Sequence, residues 1–205
     1  MPPAGPRRLQ QPLVDFALQS ALQLTRHWRA LGIELTLSLN LVGLVSRAHG
    51  LVALLGRVLA REPLSPGTLA LERPESLLVD DRHGLRRTIE QWAQLGLPVW
   101  LDDFGAGGAA LADLRALPLA GLLLTPALVA GLPDDRGALA VVRGIVTLAD
   151  VLGLPACAPG VASGAQVAAL RSVGCAMLQG PWYQPPMPVP EANAWLAAQA
   201  IRPAV

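Results

Sequence analysis

The chain has 205 residues and a formal net charge of +1, with 16 basic residues against 15 acidic ones. This length accommodates one domain with a sizeable core, and the near balance of charge argues against binding to a nucleic acid polymer. The 16 basic residues are all arginine, which keeps its proton in proteins, so the chain has no lysine to act as a general base or Schiff-base amine.

The predicted elements begin after a leader. Residues 1–13 are rich in proline and arginine, and we predict that they form a disordered leader to a single domain over residues 14–205. From Val14 onward, apolar residues recur at helical spacing and alternate with short apolar runs. In chain order, the first half is predicted to contain a helix over Val14–Leu31, a strand over Glu34–Leu41, a helix over Leu44–Arg61, a strand over Thr68–Arg73, a helix over Arg82–Leu95 and a strand over Pro98–Phe104.

The second half continues the alternation of helix and strand. Its strands are predicted over Gly121–Thr125, in the apolar run after Pro155, and over Ala176–Trp182. Helices are predicted between and after these strands, and Ser163 is expected to cap one of them because its hydroxyl can accept from a free backbone amide. The predicted helices cover residues 107–117, 137–152, 163–173 and 190–200.

Three segments share one local pattern, in which a helix stop is followed by a short link and a strand. They are Leu31-Gly32-Ile33-Glu34, Leu95-Gly96-Leu97-Pro98 and Leu152-Gly153-Leu154-Pro155, and each glycine can adopt the left-handed turn that ends a helix. This recurrence is typical of α/β proteins with parallel strands. Since a complete (β/α) barrel needs roughly 250 residues, we predict a partial TIM-like (β/α) barrel that lacks its first strand or strands.

The chain is apolar on average, with a mean hydropathy of +0.42. A long charge-free stretch, Ala116–Pro133, is nevertheless interrupted by prolines and glycines, which indicates strand, turn and short helix and not a membrane span. No apolar segment follows Arg7 and Arg8 as it would in a signal peptide. With two cysteines, Cys157 and Cys175, the chain has no disulfide framework, so we expect reduced thiols, a cytoplasmic location and no membrane contact.

Polar side chains stand where the predicted strands end. Asn40, Glu72 and the adjacent pair Asp102 and Asp103 would meet at one edge, because the carboxyl ends of parallel strands face the same way. Four oxygen-bearing side chains can hold a hard divalent cation such as Mg²⁺. On residue types alone the alternative is equally open that Asp103 caps a helix and Asp102 is half solvated.

The motifs resemble those of EAL domains, the cyclic di-GMP phosphodiesterase family. Leu101-Asp102-Asp103-Phe104-Gly105 resembles the family's DDFG loop, and Ser38-Leu39-Asn40-Leu41 its S-V-N-L strand. Leu71-Glu72-Arg73-Pro74-Glu75-Ser76 is similar to its E-I-T-E-S, and Leu178-Gln179-Gly180-Pro181-Trp182 to its Q-G-Y-L-F segment. These motifs come in the family's order over residues 14–200.

The resemblance implies roles for particular residues. Asn40, Glu72, Asp102 and Asp103 match metal ligands for Mg²⁺ or Mn²⁺. Glu75 matches a glutamate that steadies the loop after the aspartates, and Gln179 matches a glutamine near the catalytic water. The latter two are the expected ligand-binding residues.

The departures from the family pattern fall on catalytic positions. The family's K-I-D is replaced by Leu123-Leu124-Thr125, and its A-E-G-V-E by Ala158-Pro159-Gly160-Val161-Ala162, so Leu123, Pro159 and Ala162 stand where a lysine and two glutamates are expected. The loop at residues 105–110 lacks the family's hydroxyl and aromatic side chains, from which we expect lost hydrogen bonds to Glu75. The strand that carries the E-A-L signature is also absent from this sequence.

These replacements predict a catalytically silent domain. Its expected role is regulatory, through contact with a protein partner, self-association or residual binding of cyclic di-GMP, with Mg²⁺ or Mn²⁺ at a residual site. The alternatives are an active Mg²⁺-dependent phosphodiesterase and a non-functional gene remnant. Trp100, Trp182 and Tyr183 lie near predicted strand ends, where they could stack on guanine or pack into the core or rim.

Overall fold

The computed structural model describes residues 7–40, 48–61, 64–65, 67–76, 82–107 and 111–200. Six parallel strands form one sheet in chain order, and helices connect them. The strands are β1 (Leu37–Asn40), β2 (Leu69–Pro74), β3 (Val99–Phe104), β4 (Gly121–Leu124), β5 (Ala156–Ala158) and β6 (Met177–Leu178). The helices in the described ranges are α1 (Arg7–Ala30), α2 (Ala48–Arg61), α3 (Arg82–Gln94), α4 (Leu111–Ala116), α5 (Pro126–Ala130), α6 (Arg136–Val151), α7 (Gly164–Ser172) and α8 (Val189–Ala200).

The sheet is curled, because side chains of its first and last strands line the same cavity. That cavity has a volume of about 140 Å³ and receives Ser38 from β1 and Gln179 from the end of β6, with residues of the four intervening strands between them. Parallel strands that twist and are covered by helices on their outer face curl in this way. The prediction of an α/β partial barrel is therefore confirmed, and the cavity is its lumen.

The main core lies between the sheet and the surrounding helices. Successive strand residues point to opposite faces, so Leu69, Leu71 and Leu101 face the helices and are buried, whereas Glu72 and Asp102 face the lumen. The helices contribute apolar stripes to the same layer. Fully buried members of this core include Leu18 and Leu22 of α1, Leu55 of α2, Ile89 and Trp92 of α3, and Leu170 of α7.

Two local predictions are confirmed by backbone geometry. Gly32, Gly96 and Gly153 have positive φ, as the helix-stop pattern requires. Ser163 caps α7: its hydroxyl accepts from the backbone amide of Gln166, whose side-chain oxygen accepts in turn from the amide of Ser163. This reciprocal capping box satisfies two amides that a helix start otherwise leaves unpaired.

Several element boundaries differ from the prediction. Helix α1 begins at Arg7, so it includes residues 7–13 of the predicted leader. Residues 41–47, which hold the ends of a predicted strand and helix, lie outside the described ranges. The last strand is confined to Met177–Leu178, and at Gly180, whose φ is 152°, an added Cβ would lie 2.3 Å from the Val161 carbonyl oxygen, so only glycine fits there.

The short helix α5 agrees with the strand, turn and short helix expected in Ala116–Pro133, although its five residues are too few to show a helical period. Pro126 opens it at a position where a missing amide hydrogen costs nothing. None of the helices in the described ranges is long and apolar enough to span a bilayer.

Candidate functional site

Three neighbouring strands bring Asn40, Glu72 and Asp102 together at their carboxyl ends. Asn40 pairs in register with Glu72, and Pro74, two residues further along β2, pairs with Asp102. The Asn40 side-chain amide donates to Asp102 Oδ2 over 3.1 Å. The sequence-based prediction that these residues share one edge therefore agrees with the geometry.

The electrostatics of this cluster raise the pKa of both carboxyl groups above the ordinary value. Burial raises the pKa of Glu72, and the nearby Asp102 charge raises it further, while hydrogen bonds from Ser38 and Asn40 act in the opposite direction. Burial likewise raises the pKa of Asp102, while a hydrogen bond from the Asp103 backbone amide lowers it; the Asp103 charge raises it further, and the hydrogen bond from Asn40 opposes the rise. A positive charge bound between Glu72 and Asp102 would relieve this repulsion and favour their ionised forms.

The loop after Asp102 is held by Glu75 and by an unusual backbone conformation. Asp103 is exposed and adopts φ 55°, a left-handed conformation that aspartate tolerates better than most residues. Glu75 is 4% exposed, and its Oε2 accepts from the Gly105 amide over 3.0 Å. The expected loss of side-chain hydrogen bonds to Glu75 stays a prediction, since residues 108–110 of the loop lie outside the described ranges, but the Gly105 backbone supplies a donor that needs no hydroxyl side chain.

The opposite side of the site is apolar. Leu123 of β4 is 7% exposed and lines the lumen together with Cys157 of β5. Burial raises the pKa of Cys157 to about 11, so the thiol stays protonated and neutral near pH 7. Pro159 and Ala162 follow β5 and carry no ionisable group. The positions at which the resemblance expects a lysine and two glutamates therefore offer no base, acid or metal ligand.

Gln179 stands across the lumen from the carboxylates. It lines the cavity that Glu72 also lines, and its backbone is paired with both Ala158 and Val161. The structure thus places one predicted ligand-binding residue, Gln179, in the lumen. The other, Glu75, is buried beneath the loop that follows the aspartates.

The side chains that could bind a metal ion lie on one side of the lumen only. In the described part of the chain, no three His, Cys, Asp or Glu side chains form a group able to hold a metal ion. Glu72 and Asp102, supplemented by the Asn40 amide oxygen, have the hard oxygen chemistry that Mg²⁺ and Mn²⁺ prefer. These three residues would hold such an ion, which would neutralise phosphate charge, but nothing on β4 or β5 would hold a second one.

The three aromatic residues named from the sequence lie in different surroundings. Trp100 is the second residue of β3, half-buried in the lumen, and its ring covers Gly121 of β4. Trp182 and Tyr183 lie in the turn after β6 and are 54% and 45% exposed. Met177 also lines the lumen, a position not predicted from the sequence, although strand alternation with Gln179 signals it.

The fold and site define a class: a (β/α) half-barrel whose carboxyl-end rim carries acidic residues on one side. A sequence model of the EAL domain matches residues 2–186, about nine-tenths of the chain. The chain also shares 32% identity over 184 residues with the bifunctional diguanylate cyclase/cyclic di-GMP phosphodiesterase MucR of Pseudomonas aeruginosa, with 89% of this chain covered. The chain therefore belongs to the EAL domain family.

Solved structures agree with this assignment. The structure of the MucR phosphodiesterase in complex with c-di-GMP is similar with a TM-score of 0.84 at 31% identity, covering 90% of this chain and 75% of that one. The EAL domain of Mycobacterium smegmatis DcpA is similar with a TM-score of 0.84 at 28% identity, covering 95% and 86% of the respective chains. The chain spans 27% of the full length of the curated MucR protein.

Proposed function

We propose that this EAL domain binds cyclic di-GMP without hydrolysing it and acts as a regulatory module. The observation that carries the proposal is the division of the rim: Glu72 and Asp102 meet on one side, whereas Leu123 and Cys157 form the facing wall of the lumen. Family membership, and the c-di-GMP complex of the similar MucR phosphodiesterase, support the choice of ligand.

The absence of hydrolysis follows from the chemistry of phosphodiester cleavage. Two-metal hydrolysis needs ligands around both ions and an activated water to attack phosphorus. Loss of one general base or one stabilising charge costs about 10²–10⁴ in rate. Leu123, Pro159 and Ala162 remove three such groups together, so binding on the acidic side is the activity that remains.

The test combines a product assay with a binding assay. Purified protein is incubated with cyclic di-GMP and either Mg²⁺ or Mn²⁺, and the linear dinucleotide product is measured by chromatography, with the MucR phosphodiesterase domain as positive control. Calorimetric titration measures the dissociation constant with and without Mg²⁺. We expect saturable binding that Mg²⁺ strengthens, and no product.

The matched control is the double variant Glu72→Gln and Asp102→Asn, which keeps side-chain volume but removes both charges. It should lose the effect of Mg²⁺ on binding, because a hard cation prefers carboxylate ligands. Multiple turnovers by the natural chain that disappear in this variant would refute the proposal. No measurable heat at high ligand concentration would refute it as well.

A protein-contact role is the second candidate, and strand pairing favours it. Within the described ranges β1 pairs with β2 alone and β6 with β5 alone, so the sheet has two free edges. Met177 of β6 is a large apolar side chain that is 43% exposed. Free edges and exposed apolar groups are typical of surfaces that associate. Light scattering over a range of protein concentrations tests self-association, and a monomer at all concentrations would contradict that form of the idea.

A further inference from the structure

The turn after β6 carries an aromatic surface that the acidic half of the site does not use. Trp182 and Tyr183 are half-exposed there, although side chains of this size usually bury most of their area. The Trp182 amide donates to the Val161 carbonyl over 3.0 Å, which ties the turn to the segment after β5. The aromatic pair is therefore held by backbone contacts while its rings remain accessible.

The start of α7 also positions Trp182. A Cβ added at Gly164, the first residue of α7, would lie 3.2 Å from two atoms of the Trp182 ring. The indole thus rests on the helix start at a place where no side chain intervenes. One side of the ring is supported by Gly164, and more than half of the residue's surface stays open to a ligand.

The turn is continuous with the candidate site. Gln179, three residues before Trp182, lines the lumen that also receives Glu72. Strands are spaced by about 4.8 Å, so three spacings place the β6 end roughly 15 Å along the sheet from the carboxylates of β3. In a nucleotide the sugar separates the base from the phosphate. If the phosphates of a bound dinucleotide lay near the carboxylates, one of its bases could therefore reach the turn after β6.

We propose that Trp182 is the stacking platform for a guanine base of cyclic di-GMP, with Tyr183 beside it. The inference rests on the proposed function and adds a specificity-determining residue to it. A flat, uncharged ring suits a purine face, and stacking on aromatic side chains is a common mode of nucleobase recognition. It supplies affinity on the side of the rim where Pro159 and Ala162 offer no charge.

The test compares three variants in calorimetric titrations with cyclic di-GMP. Trp182→Leu should raise the dissociation constant about tenfold or more, because leucine keeps apolar volume but lacks a π face. Trp182→Phe should recover most of the affinity. Trp195→Leu on α8 is the control, since Trp195 is also exposed, at 39%, but lies outside the site, and it should leave the dissociation constant unchanged.

A spectroscopic measurement protects the test against misfolding of the leucine variant. Cyclic di-GMP should quench indole emission of the natural chain, and part of that quenching should vanish in Trp182→Phe, which preserves aromatic packing on Gly164. If the natural chain binds and both Trp182 variants bind equally well with unchanged quenching, the platform is refuted while the proposed function stands. If the natural chain does not bind at all, both are refuted.

Discussion

At the scale of single residues, Glu75 connects the two strands that carry the acidic cluster. Its backbone amide donates to the Asp102 carbonyl over 2.8 Å, and its carboxylate accepts from the Gly105 amide. It therefore braces the loop at both ends of the Asp102–Gly105 segment. Gly105 itself has φ 95°, and a Cβ there would lie 2.9 Å from Leu128, so the loop also depends on a glycine at this position.

Removal of the Glu75 carboxylate tests this brace. Glu75→Ala should lower the free energy of unfolding by about 1–3 kcal/mol, because the part-buried hydrogen bond between the Gly105 amide and the charged Glu75 carboxylate is lost. Urea denaturation followed by tryptophan fluorescence measures the loss. Glu75→Gln is the matched control, since it keeps an acceptor oxygen and the chain length, and it should cost clearly less. Equal losses in the two variants would show that the hydrogen bond to Gly105 is not what Glu75 contributes.

At the scale of elements, β3 and β4 fit each other through a large and a small residue. Trp100 and Gly121 are register partners, and a Cβ at Gly121 would lie 2.4 Å from the Trp100 ring. The indole therefore occupies lumen space that any other residue at position 121 would need. On the outer face of the sheet, the Arg73 guanidinium lies 5.5 Å from the centre of the Trp92 ring, and burial lowers the pKa of Arg73.

The fit of Trp100 to Gly121 predicts that the effects of substitutions at these two positions on stability depend on each other. Gly121→Ala should destabilise the protein by about 1–3 kcal/mol through overpacking. The same change made in a Trp100→Ala background should cost almost nothing, because the clashing ring is gone. Chemical denaturation of the four proteins in this cycle gives the coupling energy.

Gly144→Ala provides the control for this cycle. Gly144 lies inside α6 with nothing within 4 Å of an added Cβ, so this change should stabilise the helix by about 0.5–1 kcal/mol. If Gly121→Ala were as harmless as Gly144→Ala in the natural background, the steric account of β3 and β4 would be wrong.

At the scale of the whole molecule, the first and last helices meet. The Trp28 indole nitrogen of α1 donates to Asn193 Oδ1 of α8 over 2.7 Å, across 165 positions of the chain. Trp28 is 8% exposed, so its donor has little access to water if Asn193 is removed. This contact closes part of the helical layer around the half-barrel.

The contact between α1 and α8 predicts that two alanine substitutions in α8 differ in their effect on stability. Asn193→Ala should lower the free energy of unfolding by about 1 kcal/mol, because the largely buried indole donor is left without its acceptor. Gln199→Ala, an exposed position of the same helix, should change it by less than about 0.5 kcal/mol. Thermal unfolding followed by circular dichroism compares the two. Indistinguishable midpoints would show that the hydrogen bond does not hold the helices together.

The amino-acid sequence by itself determined the parallel β/α alternation, the glycine helix stops and the strand ends at which Asn40, Glu72 and Asp102 stand. These features are readable because period, capping and turn chemistry are local properties of the chain. Family membership was also readable, since it rests on ordered motifs.

Tertiary structure alone decided which groups touch. The bond between Glu75 and the Gly105 amide, the Trp100 ring over Gly121 and the union of α1 with α8 depend on register and on the curl of the sheet. No local pattern encodes those, because residues far apart in sequence meet only when the whole sheet has formed. The same reason explains why the exposure of Trp182, on which the stacking proposal rests, could not be read from sequence.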